Sequence, residues 1–169
     1  MKVTCGTRES MLAVMQTQLV VDALKGRHPG LEIDIQQMTT RGDHIQDDPQ
    51  GGITNKKDWI YELEIAILKG DIDFAVHSSK DVPRLIEAET ALLPVLPRGN
   101  SGDAFIGRLI SAAGERIKFS DLPKGAKIGT SSLRRRAYLL KLRPDLNVVE
   151  SRGNVPERLQ YMDENREND

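Results

Sequence analysis

The chain has 169 residues, 38% of them hydrophobic and 29% charged, and a formal net charge of −1. That size and balance describe one globular domain, or one domain with part of a second, and exclude a disordered chain. Near-neutral charge argues against a general nucleic-acid binder, for which a basic domain is expected, so any work done by arginine must be local.

Cys5 is the only cysteine, which rules out an internal disulfide and suggests a reducing, cytoplasmic setting. The start "MKVTCGTRES" lacks the apolar core of a signal peptide. No apolar run approaches the ~20 residues that span a bilayer. Aromatics are 4% of the chain, so a core must rest on Ile, Leu, Val, Ala and Met.

In chain order, "KVTCGT" reads as a first strand. "ESMLAVMQTQLVVDALKGRHPG" follows as an amphipathic helix, with Leu12, Met15, Leu19 and Leu24 near the helical period and "HPG" as its stop. "LEIDIQQMTT" alternates Leu31, Ile33 and Ile35 against Glu32, Asp34 and Gln36, a strand signature. This β-α-β opening implies parallel pairing. Residues 42–57 are polar and rich in Gly and Asp, which predicts a mobile loop. "DWIYELEIAILKGD" predicts a second helix with Asp58 as N-cap. "IDFAVHS" predicts a strand, and "SKDVP" a turn closed by proline. "ETALLPVLPRGNSGDAFIG" predicts two short strands around a hinge, which is the expected boundary between a domain 1–98 and a partial domain 99–169. The second unit predicts strand 126–129, helix 131–142, strand 146–150 and helix 155–163. It has few strands for a complete sheet.

Five polar clusters fall at or beside the carboxyl ends of predicted strands: "GTRES" (6–10), "TTRGD" (39–43), "HSSKDVP" (77–83), "GTSSLRRR" (129–136) and "SRGN" (151–154). Open α/β sheets bind ligands at such ends. In "GTSSLRRR", Ser131 or Ser132 can cap the helix, and its N-terminus attracts anions. Arg134 and Arg135 lie in the first turn, where their charge opposes the helix dipole; that local conflict is expected of a functional site. Their guanidinium forks match carboxylate or phosphate. The bland alternative is a capped helix with solvated arginines. In "HSSKDVP", Lys80 stands beside Asp81, and a carboxylate beside a cation stays ionised; the alternative is a surface ion pair of little worth. In "TTRGD", Arg41 is a candidate to hold an anion; the bland alternative is a strand-to-loop turn in which Asp43 compensates Arg41. His28, His44 and His77 lack metal spacing, one cysteine completes no zinc set, and no metal is expected. His77 reads as a satisfied strand-end histidine and Cys5 as a buried core residue. No P-loop, GxSxG or dinucleotide fingerprint is present. The residues alone describe an α/β protein with a polyanion pocket and one strategic carboxylate.

The stretches "GTRESMLAVMQTQ", "HPGLEIDIQQMTTRGD", "YELEIAILKGDIDFAVHSSKDVP", "GDAFIG" and "LPKGAKIGTSSLRRRAYLLKLRPDLNVVESRGNVPERL" resemble the hydroxymethylbilane synthase (porphobilinogen deaminase) family over nearly the whole chain. The resemblance implies a first domain like the type II periplasmic binding proteins and an incomplete second α/β domain. It also implies a third domain, outside this sequence, whose cysteine holds a dipyrromethane cofactor. The implied activity is a transferase of heme and porphyrin biosynthesis that joins four porphobilinogen units head to tail with release of ammonia. Each pyrrole carries an acetate and a propionate, so the growing chain is a polycarboxylate.

On this reading Asp81 resembles the catalytic aspartate, holding pyrrole N–H groups and stabilising the cation left by ammonia loss. Arg8, Lys80, Arg134, Arg135 and Arg152 resemble carboxylate clamps. Ser10, Gln16, Ser78, Thr130 and Ser131 resemble neutral donors, and Gly153 belongs to the "SRGN" part of the site. Residues 42–57 occupy the place of a lid. Three departures stand out: Trp59 where the family has Phe, Tyr61 where it has Lys, and Val149 where it often has Arg. Arg136 is extra to the motif and is expected to point away from the ligand. Full-length members are usually monomeric, with no nucleic-acid or membrane partner.

The family's cofactor cysteine is absent here, so the chain by itself is expected neither to load the cofactor covalently nor to turn over. Two other readings compete. A non-catalytic module for small carboxylates gains nothing from Asp81 in an anion pocket, and fold alone does not separate it from the enzyme. A nucleic-acid surface at 134–136 lacks stacking aromatics.

Overall fold

The computed structural model describes residues 1–47, 55–110 and 114–164. Its contacts divide the chain into two units, Met1–Pro97 and Arg98–Asp169.

In the first unit, β1 (Lys2–Arg8) is the middle strand of a parallel sheet ordered β2-β1-β3, with β2 spanning Glu32–Met38 and β3 Phe74–Ala75. A central strand is covered on both faces, and Cys5, Gly6 and Thr7 are buried. In β2, Ile33 and Ile35 lie half-buried between exposed Glu32, Asp34 and Gln36, as their alternation predicts.

The helix α1 (Met11–Arg27) starts at Ser10, whose hydroxyl accepts a hydrogen bond from the Ala13 N–H at 3.4 Å. The predicted apolar stripe has the right period and the wrong phase. Leu12, Met15 and Leu19 are exposed, while Thr17, Val20 and Val21 are buried. Apolar residues surround much of this helix, so hydropathy alone does not choose a face. A polar contact helps choose it: the buried Thr17 hydroxyl donates to Thr7 Oγ1 at 2.8 Å.

The expected loop at 42–57 is partly helical. The helix α2 (Arg41–Asp47) occupies its start and a 3-10 turn (Lys56–Trp59) its end; residues 48–54 lie outside the described set. Asp58 does not cap the following helix α3 (Tyr61–Lys69). It completes a capping box on the 3-10 turn, in which its carboxylate accepts from the Asn55 N–H at 2.8 Å. The unit's core packs Leu63, Ala66 and Ile72 against Met38, Ile67 and Ala75.

The strand expected over 72–78 is only two residues long. One more rung follows, Val76 N–H to Gly6 O at 3.1 Å, before the chain turns at Ser78–Asp81. The strands expected within 89–107 do not form. Leu92, Leu93 and Val95 are exposed, and the extended pairing nearby is a single antiparallel bridge, Leu109 to Arg116. These apolar residues have no ladder partner among the described residues, and strands need one.

In the second unit, β4 (Lys127–Gly129) and β5 (Asn147–Val149) pair in parallel and alternate with α4 (Leu133–Leu142) and α5 (Val155–Glu164). Ile128, Leu146 and Val148 form its core with Phe119, Leu122 and Leu139 around them. Arg116 fastens α5 by a two-pronged ion pair to Asp163, at 3.1 and 2.8 Å. The architecture is mixed α/β with parallel sheets. Among the described residues no helix is long and apolar enough to cross a membrane.

Candidate functional site

The carboxyl ends of β1 and β3 and the first turns of α1 enclose one pocket in the first unit. It is lined by Arg8, Ser10, Leu12, Ala13, Gln16, Trp59, Val76, His77, Ser78 and Asp81. Five predicted residues therefore meet: Arg8, Ser10, Gln16, Ser78 and Asp81. The Ser78 hydroxyl donates to Gln16 Oε1, joining the end of the β3 segment to α1. Asp81 reaches the pocket through the turn closed by its own N–H to Ser78 O at 2.9 Å.

Arg8 leaves the end of β1 half-buried and doubly held. Its Nε donates to Asp43 at 3.3 Å, and a second guanidinium N–H bonds the other carboxylate oxygen. Its guanidinium carbon lies 4.3 Å from the centre of the Trp59 ring, a cation–π contact. Burial on its own would raise the Asp43 carboxyl, but hydrogen bonds from Arg8 and Thr40 hold it below its ordinary value. Asp43 therefore compensates Arg8, not Arg41 as sequence proximity suggested. Gly42 makes the arrangement possible, because a Cβ there would collide with the indole.

His77, read from sequence as a satisfied strand-end residue, lines the pocket. Burial lowers its pKa below the usual 6.5, with Glu64, Arg8 and Asp81 as the charges around it. Trp59 also lines it, and it stood in the sequence analysis only as a departure from the family. The available signal was its being the only tryptophan in an aromatic-poor chain.

Lys80 does not join these residues. It is exposed, and among the described residues it forms no ion pair with Asp81. Neighbours in a turn point their side chains apart, which sequence adjacency hides. The segment beyond Asp81 is instead fastened by lysines of the 3-10 turn. Lys56 Nζ donates to Val82 O at 3.3 Å, and Lys57 bridges Glu64 and Glu87. Glu64 is buried and also accepts from the Glu87 N–H at 3.0 Å.

In the second unit the predicted residues gather where β4 and β5 end. Ser132, not Ser131, caps α4 by accepting from the Arg135 N–H at 3.4 Å. The Ser131 hydroxyl donates to Ser151 O, and Thr130 Oγ1 accepts from the Ser132 N–H at 3.2 Å. Arg136 turns away, as expected: it donates to Val148 O at 2.8 Å and ties the helix to β5. Val149 ends β5 half-exposed and adds no charge there. Arg152 pairs with Glu150 at 2.8 Å. Gly153 holds φ +95°, a left-handed conformation that side chains rarely adopt, and starts the turn into α5.

Arg134 and Arg135 together grip one carboxylate. Arg134 donates two bonds to Asp103, at 2.7 and 2.8 Å, and Arg135 Nε donates a third at 2.9 Å. These bonds hold the Asp103 carboxyl far below its ordinary value. The pair is thus built to the shape of a carboxylate, the group a dipyrromethane cofactor presents through its acetates and propionates. A donor set that holds the Asp103 carboxylate fits that group too.

Cys5 does not fit a role in attachment. It is fully buried in β1, and burial pushes its thiol up to about 11. A covalent link needs an accessible thiolate. Among the described residues no cluster of His, Cys, Asp and Glu is arranged to hold a metal ion.

Residues 3–169 match the family model described as porphobilinogen deaminase, dipyromethane cofactor binding domain. The chain is 46% identical over 158 residues to a protein named porphobilinogen deaminase from Geotalea uraniireducens, covering 94% of this chain and 48% of that one. A protein of the same name from Xanthomonas axonopodis pv. citri is 44% identical over 157 residues, covering 93% of this chain and 50% of its own. The chain spans about half the length of the curated relatives it matches. With a family match over almost its whole length, the chain belongs to the porphobilinogen deaminase family.

Proposed function

We propose that this chain supplies the substrate-holding groups of a tetrapyrrole-forming transferase, one that condenses four porphobilinogen units into hydroxymethylbilane with release of ammonia. The observation that carries the reading is the convergence of Asp81 with Arg8, Ser10, Gln16 and Ser78 on one pocket. A carboxylate among anion-binding groups suits a ligand that is anionic at its rim and cationic or N–H-bearing at its centre. Pyrroles with acetate and propionate arms are such ligands.

Asp81 accepts hydrogen bonds from pyrrole N–H groups and stabilises the positive charge that develops on the substrate as ammonia departs. Arg8, fixed by Asp43 and Trp59, presents its remaining N–H edge to a carboxylate. Arg134 and Arg135 clamp another, with Thr130, Ser131, Arg152 and Gly153 beside them, and in the first unit the exposed Lys80 offers a further cation. A bound dipyrromethane supplies a pyrrole chain bearing further carboxylates, which Arg134 and Arg135 would hold. Cys5 is unsuited to attach it, so covalent loading requires a cysteine outside this sequence. We further assign the first unit to the type II periplasmic-binding-protein class, as domain 1–98, with residues 99–169 as part of a second α/β domain.

Porphobilinogen binding followed by Trp59 fluorescence tests the reading, since the one tryptophan lines the pocket. The expected result is saturable quenching, lost in Asp81→Asn while the circular dichroism spectrum is unchanged. Near-normal binding by Asp81→Asn would refute the role given to Asp81. A plain carboxylate-binding module would instead bind propionate as well as porphobilinogen, and would bind both better without Asp81.

A further inference from the structure

Asp103 reaches the arginine pair from 31 and 32 residues away in sequence. Among the described residues its carboxylate contacts no donor other than Arg134 and Arg135. Both of its oxygens are used, one by each prong of Arg134, and one of them again by Arg135. The backbone from Arg98 to Phe105 has no regular structure. Besides this ion pair, the segment is held by the Phe105 ring against Phe119, centroids 5.4 Å apart. All three charged side chains are substantially exposed, at 39% for Asp103, 58% for Arg134 and 49% for Arg135. The contact is therefore open to exchange with a dissolved carboxylate.

We propose that Asp103 is a built-in competitor that keeps the arginine pair closed to weakly bound single carboxylates, so that it opens to ligands that carry several carboxylates and bind more tightly. This rests on the reading above that the pair receives pyrrole carboxylates, and it adds what keeps other acids out. A tethered group acts at an effective concentration on the millimolar scale. A single dissolved carboxylate meets an exposed, screened arginine pair and cannot match the tethered one. A polycarboxylate gains from neighbouring donors at the same time, and its second contact is also intramolecular, so it displaces Asp103. The segment around Asp103 then keeps the Phe105–Phe119 contact.

The test titrates the wild-type chain and Asp103→Asn with three probes: acetate, propane-1,2,3-tricarboxylate, and a synthetic dipyrromethane bearing two acetates and two propionates. Asn keeps the shape and removes the charge. Affinity for acetate and for the two polyacids is expected to rise by the same factor, about fivefold, in Asp103→Asn, because each displaces the same tethered group. The gain should vanish when Arg134→Gln and Arg135→Gln are added. Unchanged or weaker acetate binding in Asp103→Asn, or a gain that survives loss of the arginines, would overturn the proposal. A second readout needs no variant. The Arg135 Nε–H resonance of the wild-type chain should move as the tricarboxylate saturates and stay still with equimolar acetate; no movement at saturation also overturns it. If the dipyrromethane alone fails to bind while acetate shows the gain, the pyrrole reading falls and the competitor role of Asp103 stands.

Discussion

Both units pair arginine with aspartate at the ends of parallel strands, yet they solvate the pair differently. Arg8 and Asp43 are each 13% exposed, with an indole against the guanidinium and the backbone and hydroxyl of Thr40 on the carboxylate. Arg134, Arg135 and Asp103 stand largely in water. The same charges therefore do different work. In the first unit the ion pair is part of the fold and orients one guanidinium edge. In the second it is an exposed contact, open to exchange. A buried pair is costly to break, because the surviving partner keeps its desolvation penalty. An exposed pair contributes little to stability, so exchanging it disturbs little else.

The largest expected effect separates these cases directly. Asp43→Asn leaves the Arg8 guanidinium half-buried without its counter-charge, and should destabilise the first unit by about 3 kcal/mol in urea unfolding followed at Trp59. The matched change Asp103→Asn should cost the second unit at most about 1 kcal/mol, read by amide exchange of Val148, and act mainly on carboxylate binding. Equal destabilisation by the two substitutions would mean that exposure does not distinguish the pairs.

Lys57→Met comes next, at about 2 kcal/mol, because it leaves the buried Glu64 carboxylate with the Glu87 N–H as its remaining described donor. It should also loosen residues 82–87, read as faster amide exchange at Glu87, while exchange in β4 and β5 is unaffected.

The distinction between the units was only partly legible in the sequence. That strand-end polar residues such as Ser10, Ser78 and Asp81 would come together was visible, because a parallel sheet delivers its carboxyl ends to one side. Arg136 was visible too, as surplus to the family motif, and it turns to Val148 O. Pairings across long separations were not. Nothing near Asp43 in sequence says that its partner is Arg8, and nothing near Asp103 says that it meets α4. Adjacent-charge logic misled twice, at Arg41–Asp43 and Lys80–Asp81, since neighbouring side chains in a turn or a first helical turn diverge. The face of α1 was missed because the Thr7–Thr17 hydrogen bond, invisible to hydropathy, helps set it. The extended segment at 91–96 was overcalled because apolar residues of strand type do not make a strand without a neighbour to pair with.

The smallest expected effect concerns acid. All three histidines lie in the first unit; burial lowers the pKa of His77, with Glu64 and Asp81 opposing that shift and Arg8 adding to it. The unfolded chain takes up a proton at His77 as pH falls through its ordinary 6.5, whereas the folded pocket resists it. The unfolded state therefore binds more protons in that window, and stability is fully present above 6.5 and declines as pH falls toward the lowered value. Asp43 adds nothing in this range, since its stabilising charge is lost only below its ordinary 3.8. The unfolding midpoint reported by Trp59 should thus fall modestly between pH 7 and pH 5.5, and His77→Gln should flatten that slope. Amide exchange of Val148 in β5 should stay level over the same range, because the second unit carries no histidine. An equal slope in both units, or a slope that survives His77→Gln, would place the acid sensitivity elsewhere than in the pocket.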